Sequence, residues 1–110
     1  MDLNLKKLEE LYKNAKKRNK NLFIYDEVEN IDFYSIHKDG FDINIKRMIS
    51  KNTYKIFILI GKKNKILFNC PIAESTDNLK DLYNRLLEDI NELTLDEVIN
   101  KYYCDLITFL

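Results

Sequence analysis

The stretch from residue 41 to residue 70 constrains this chain more than any other. Phe41, Ile43 and Ile45 alternate with Asp42, Asn44 and Lys46. A period of two puts the apolar set on one face of a strand and the polar set on the other. Further on, Ile56-Phe57-Ile58-Leu59-Ile60 is apolar at every position, as expected of a central strand covered on both faces. Ile66, Phe68 and Cys70 resume the alternation after Gly61-Lys62-Lys63-Asn64. Asp39-Gly40 precedes the first run, and Asp-Gly suits the positive φ angles of a tight hairpin. Connections this short predict antiparallel neighbours, because a parallel pair needs a crossover of a dozen residues or more. The chain must build an antiparallel sheet and cover one of its faces.

Two further runs extend the sheet. Leu22-Phe23-Ile24-Tyr25 is a short apolar strand candidate, and Ile31, Phe33 and Ser35 alternate with Asp32 and Tyr34. Pro71 cannot donate to a ladder and is expected to end the sheet. The cover comes from the two ends of the chain. Leu5, Leu8, Leu11, Tyr12 and Ala15 recur at spacings of three and four, which predicts a helix over 3–18. Lys16, Lys17, Arg18 and Lys20 crowd its end, where cations offset the negative pole of the helix dipole. After the sheet, Leu79, Leu82, Tyr83, Leu86, Leu87, Ile90 and Leu93 form a stripe that predicts a helix over 76–91. Thr94-Leu95-Asp96-Glu97 has the form of a capping box, flanked by Leu93 and Val98 as a hydrophobic staple. It opens a second helix through Val98, Ile99 and Tyr102. The tail from Leu106 to Leu110 is too apolar to hang free; it packs on the core or adds an edge strand. The expected fold is α+β: an N-terminal helix, a four- or five-stranded mainly antiparallel sheet, and two C-terminal helices packed on one face. Tyr34, Asn44 and Lys46 are expected on the other face.

A length of 110 residues predicts a single domain, 1–110. The longest apolar run, Ile56–Ile60, is too short to cross a bilayer, so no membrane partner is expected. Met1-Asp2-Leu3-Asn4 lacks the basic n-region and apolar stretch of a secretory signal. Two cysteines cannot make a disulfide scaffold, so Cys70 and Cys104 are expected as buried, reduced thiols in a cytoplasm. Lys outnumbers Arg fifteen to three, and Asn and Ile are heavily used. Those codons are AT-rich, which points to a low-GC bacterium or a phage or plasmid within one.

No arrangement of residues predicts catalysis. Ser35, His37 and Asp39 alternate along one strand, but same-face neighbours sit roughly 6.5–7 Å apart, too far for a nucleophile–base hydrogen bond. No sulfur or His stands at zinc-ligand spacing from either cysteine. Asp26, Glu27, Glu29 and Asp32 cluster near a strand connection but match no calcium loop. The chain is expected to be non-enzymatic, with no metal and no other cofactor.

Charge is more informative. The net charge is zero, yet residues 46–73 hold seven basic groups and no acid, and residues 74–110 hold three basic groups and nine acids. Segregation of this kind steers a molecule toward a charged partner even at zero net charge. Within the basic segment, Lys55, Lys62, Lys63 and Lys65 are candidate contacts for nucleic acid. The α-β-β-β-α order resembles the double-stranded-RNA-binding domain. That family needs cations opening its last helix, whereas Glu74-Ser75-Thr76-Asp77 stands there. The aromatic signature of the RNA-recognition motif is absent as well. Lysines on turns and edge strands also discourage edge-to-edge aggregation. Direct nucleic-acid binding is therefore the alternative reading.

The leading reading rests on five carboxylates: Glu88, Asp89, Glu92, Asp96 and Glu97. Asp96 and Glu97 begin a helix and suit its dipole. Glu88, Asp89 and Glu92 end one, where each costs roughly 0.3–1 kcal/mol relative to a cation. Arg85 relieves part of this through its i+3 and i+4 neighbours. Local rules broken without visible compensation mark functional surfaces. The expected partner is a protein with a basic surface, such as a nuclease that normally holds nucleic acid.

The Asn/Lys/Ile-rich composition, the acidic helices after a short antiparallel sheet and the lack of a catalytic motif resemble the small phage anti-defence proteins of the anti-CRISPR kind. The likeness covers element order and character without a shared motif, so no site residue is carried over. It implies stoichiometric inhibition of a bacterial immune nuclease or sensor. An immunity protein that neutralises a toxin fits nearly as well.

Overall fold

The computed structural model describes residues 4–18 and 30–108. In chain order these form helix α1 (Leu5–Arg18), strands β1 (Asn30–Lys38), β2 (Phe41–Ser50), β3 (Thr53–Lys62) and β4 (Lys65–Ser75), then helices α2 (Lys80–Glu92), α3 (Leu95–Lys101) and α4 (Tyr103–Thr108). The strands make one antiparallel meander in the order β1-β2-β3-β4. This is the expected α+β class, with four strands among the described residues. The Leu22–Tyr25 run lies outside them.

Each hairpin turns on two residues with positive φ: Asp39 and Gly40, Lys51 and Asn52, Lys63 and Asn64. Paired left-handed residues match the twist of the flanking strands. Lysine at the first position of two of these turns carries a steric cost that glycine would not, about 1–2 kcal/mol. Gly61 is required for a different reason. A Cβ there would sit 3.0 Å from the Lys65 carbonyl oxygen, beside a slip in the β3–β4 register.

Register settles which face is covered. Tyr34 pairs with Ile45 and Ile36 with Ile43, and Ile43 and Ile45 in turn pair with Ile60 and Ile58. These residues, with Phe68, Cys70 and Ile72, meet Leu8 and Tyr12 of α1, Leu86 and Ile90 of α2, Val98 and Ile99 of α3 and Leu106 of α4 in one core. Tyr12 meets Phe68 edge to face at 5.7 Å. Tyr34 therefore faces the helices, not the opposite side as its polarity suggested. Ile31 and Phe33 take the other face, exposed, beside Asn44 and Lys46.

Other expectations change for local reasons. Pro71 does not end the sheet, because β4 runs on to Ser75. Phe57 pairs with Pro71 and Ile56 with Ala73, so Ile72 is the extra residue of a bulge. Proline is tolerated at bulges and on edge strands, and β4 is an edge strand of the described sheet. The helix after it starts at Lys80 rather than Thr76. Ser75 Oγ accepts from the Asp77 amide (3.0 Å) and Asn78 Oδ1 from the Lys80 amide (3.0 Å), side-chain bonds that compete with helical ones. The C-terminal helical part breaks at Tyr102, giving three helices where two were expected. Leu106 is buried within α4 and packs on the core, while Phe109 and Leu110 lie outside the described residues. Cys70 is buried, and burial pushes its thiol up to about 12; Cys104 is exposed, against expectation, because α4 turns it outward. Among the described residues no helix is long and apolar enough to cross a membrane.

Leu86 is fully buried at the centre of this core. Leu86→Ala should cost about 2–5 kcal/mol in urea unfolding. A loss of a few tenths would mean that α2 does not pack as described.

Candidate functional site

The five acidic candidates lie around the joint between α2 and α3. The joint is built by the sequence Leu93-Thr94-Leu95-Asp96-Glu97. Thr94 is extended, its Oγ1 accepts from the Glu97 amide (3.2 Å), and Glu97 Oε1 accepts from the Thr94 amide (3.1 Å). The capping box is complete. Hydrogen bonds to it from the Thr94 amide, and then from the Thr94 hydroxyl, hold the Glu97 carboxyl below its ordinary range.

Two adjacent residues of the β1–β2 turn hold the joint to the sheet. Lys38 Nζ donates to the carbonyls of Ile90 (2.8 Å) and Asn91 (3.1 Å). Asp39 Oδ2 accepts from the Leu95 amide at 2.8 Å. An ammonium thus meets the negative end of α2 and a carboxylate the positive end of α3, each the favourable sign. Tyr34 adds a hydroxyl donated to Asn91 Oδ1 at 3.0 Å, and Asn91 Nδ2 donates back to the Leu87 carbonyl at 2.8 Å.

The candidates divide accordingly. Asp89 is only 9% exposed. It accepts from Lys101 Nζ (2.8 Å) and from the Tyr102 hydroxyl (2.7 Å), which ties α2 to the far end of α3. Burial raises its carboxyl pKa, but the bonds from Lys101 and Tyr102 outweigh this and hold it below the ordinary value. Burial, and then Asp89 itself, push the Tyr102 hydroxyl up. Asp89 therefore serves the fold, and Glu97 serves the cap. Glu88, Glu92 and Asp96 are exposed and make no ion pair among the described residues. The helix-end conflict expected from sequence is offset by Lys38 and Lys101.

The basic candidates do not form one patch. Lys62, Lys63 and Lys65 are exposed at the β3–β4 turn. Lys51 occupies the β2–β3 turn at the opposite end of the sheet. Lys55 and Lys46 are on the face away from the helices, Lys55 beside Glu74 at 3.9 Å and Lys46 over the Phe33 ring at 5.8 Å. Arg47 is on the helix face, paired with Asp32, donating to Asn78 Oδ1 at 2.8 Å and lying over the Tyr83 ring at 5.9 Å.

Ser35, His37 and Asp39 do not assemble either. Asp39 is committed to the Leu95 amide, while His37 Nδ1 lies 3.0 Å from Asp42 Oδ1 on the exposed face. Among the described residues no three His, Cys, Asp or Glu side chains converge to hold a metal ion. Asp26, Glu27 and Glu29 lie outside the described residues. Comparison with protein-family models, curated proteins and solved structures finds no match to this chain.

Sequence reasoning missed Lys38, Asp39, Tyr34, Lys101 and Tyr102. Lys38-Asp39-Gly40 read as a turn, with Asp39 also in the alternating Ser35, His37 and Asp39 set, and the signs of the two adjacent charges were the available signal.

Two predictions follow from this geometry. Thr94→Ala should lower stability by about 0.5–2 kcal/mol in urea unfolding. Asp89→Ala leaves the buried Tyr102 hydroxyl without its acceptor and should cost about 1–3 kcal/mol at neutral pH. Because the folded-state pKa of Asp89 lies below its ordinary 3.8, its contribution is full above that value and fades as pH falls through the lower, folded-state value. The stability gap between the wild type and Asp89→Ala should therefore narrow below about pH 4. A gap independent of pH would contradict this assignment.

Proposed function

We propose that this chain is a non-enzymatic protein-binding module whose α2–α3 joint docks on a basic protein surface. The observation that carries this reading is the combination of exposed Glu88, Glu92 and Asp96, without an ion pair among the described residues, with a joint fixed on both sides by Lys38 and Asp39. Carboxylates presented on a clamped joint lose little freedom when a partner binds. They imitate a run of phosphates to a Lys/Arg-lined groove, which speeds association and makes it salt-sensitive. The biological role that fits is inhibition of a bacterial immune nuclease or sensor, of the anti-CRISPR kind, or neutralisation of a toxin by an immunity protein. Asp89 and Glu97 act here as supports for the joint.

The test is quantitative affinity capture from a bacterial lysate, run in parallel with wild type and a Glu88→Lys/Glu92→Lys variant. Lysine suits both positions near a helix C-terminus, so the variant should fold at least as well as the wild type. A purified partner retained by the wild type should associate with the variant at least about tenfold more slowly at low salt. Equal association rates would overturn the role of the joint.

A further inference from the structure

We propose that the end of the sheet that carries the β1–β2 and β3–β4 turns is a self-association surface: two copies of this chain meet there about a two-fold axis, each setting its carboxylates against the other's lysines. In an antiparallel meander these two turns lie at one end, about 10 Å apart, two strand spacings. Asp42 pairs with Gly61, so Phe41 and Lys62 stand side by side one step further out. Lys62 lies over the Phe41 ring at 5.0 Å. The same ring lines a groove with Leu5 and Lys6 of α1, Asp39 of the β1–β2 turn and Asp96 of α3. Glu92 ends α2 at the same joint. Lys65 pairs with Lys62 across the β3–β4 turn and therefore shares its face. Along this end carboxylates stand on the β1–β2 side, Phe41 comes next, and Lys62 and Lys65 stand on the β3–β4 side.

Charge complementarity selects a second copy as the occupant. Among the described residues Glu92, Asp96, Lys62 and Lys65 make no ion pair, although both signs are present at one end. Lys62 and Lys65 stand directly opposite each other, a like-charge pair that costs stability. A single lysine would serve to guard the β4 edge; the pair is what that explanation leaves over. A nucleic acid would suit the lysines but meet Asp39 and Asp96, and a purely basic protein surface would suit the carboxylates but meet the lysines. A surface that reads acid, apolar, base in one direction is its own complement after a half-turn, as an isologous dimer requires. The net charge of zero leaves no net repulsion between copies. Because the contact is a sheet end and not a sheet face, the dimer is weak and salt-sensitive. Asp96 belongs to both surfaces, so a basic protein docking on the joint displaces the second copy.

Sedimentation velocity over a range of concentrations tests this. The wild type should show a monomer–dimer equilibrium that weakens about tenfold between roughly 0.05 and 0.3 M salt. At low salt, Glu92→Lys/Asp96→Lys and Lys62→Glu/Lys65→Glu should each weaken dimerisation about tenfold or more, since each sets like charges face to face. An equimolar mixture of the two variants should associate nearly as well as the wild type, because the lysines of one then face the carboxylates of the other at both contacts. Circular dichroism checks that each variant folds; if Asp96→Lys does not, Glu92→Lys/Asp96→Asn takes its place. A wild type that stays monomeric at low salt up to about 1 mM would overturn the proposal. So would a folded variant that dimerises as the wild type does, or a mixture that stays monomeric. Species that keep growing beyond the dimer would overturn it as well, being the mark of a head-to-tail contact that does not close. No arm of this experiment contains a basic partner, so the docking role of the joint is tested apart from it.

Discussion

Lys38 and Asp39 sit side by side in the β1–β2 turn and grip the facing ends of two helices. The ammonium takes two carbonyls that α2 leaves unpaired, and the carboxylate takes an amide that α3 leaves unpaired. Each helix end presents several such orphan groups, and each charge has the sign its helix end attracts. The hydrophobic stripe of α2 determines that this helix lies on the sheet. It does not determine how far α2 slides along its axis or where α3 departs. The turn supplies that, and the capping box makes the departure abrupt.

With the joint so placed, the charges of the chain acquire a geography. The β1–β2 and β3–β4 turns share one end of the meander. The acidic joint is attached to the first, and Lys62, Lys63 and Lys65 stand exposed at the second. Opposite charges thus share one end of the sheet, where Lys62 lies over the Phe41 ring that lines one groove with Asp39 and Asp96. Such an arrangement steers association without net charge.

The strands, their antiparallel order and the capping box were legible in the sequence, because each depends on residues close together in the chain. Alternation at Phe41, Ile43 and Ile45 and turn chemistry at Asp39-Gly40 are of this kind. The face of Tyr34 was not legible: it follows from pairing with Ile45, a register that its own neighbours do not encode. Pro71 misled because a proline rule written for interior strands fails at an edge bulge. At the site, the carboxylates of 88–97 were visible as a run, but their division was not. Asp89 is buried by partners that follow it in the next helix, and the compensation for α2 comes from a lysine at the far end of β1. Basic residues 46–65 made the converse error, since one segment threaded through a hairpin delivers its cations to both ends and both faces of the sheet.

The central claim, that the turn holds the joint, is tested most directly by native-state hydrogen exchange on Asp39→Gly. Glycine keeps the left-handed backbone at this position and removes only the acceptor. If the clamp operates as described, the Leu95 amide should exchange roughly tenfold faster or more, with smaller increases across residues 92–97, while amides of Ile45 and Ile58 keep their protection. Unchanged protection at Leu95 in a variant that remains folded would contradict the account.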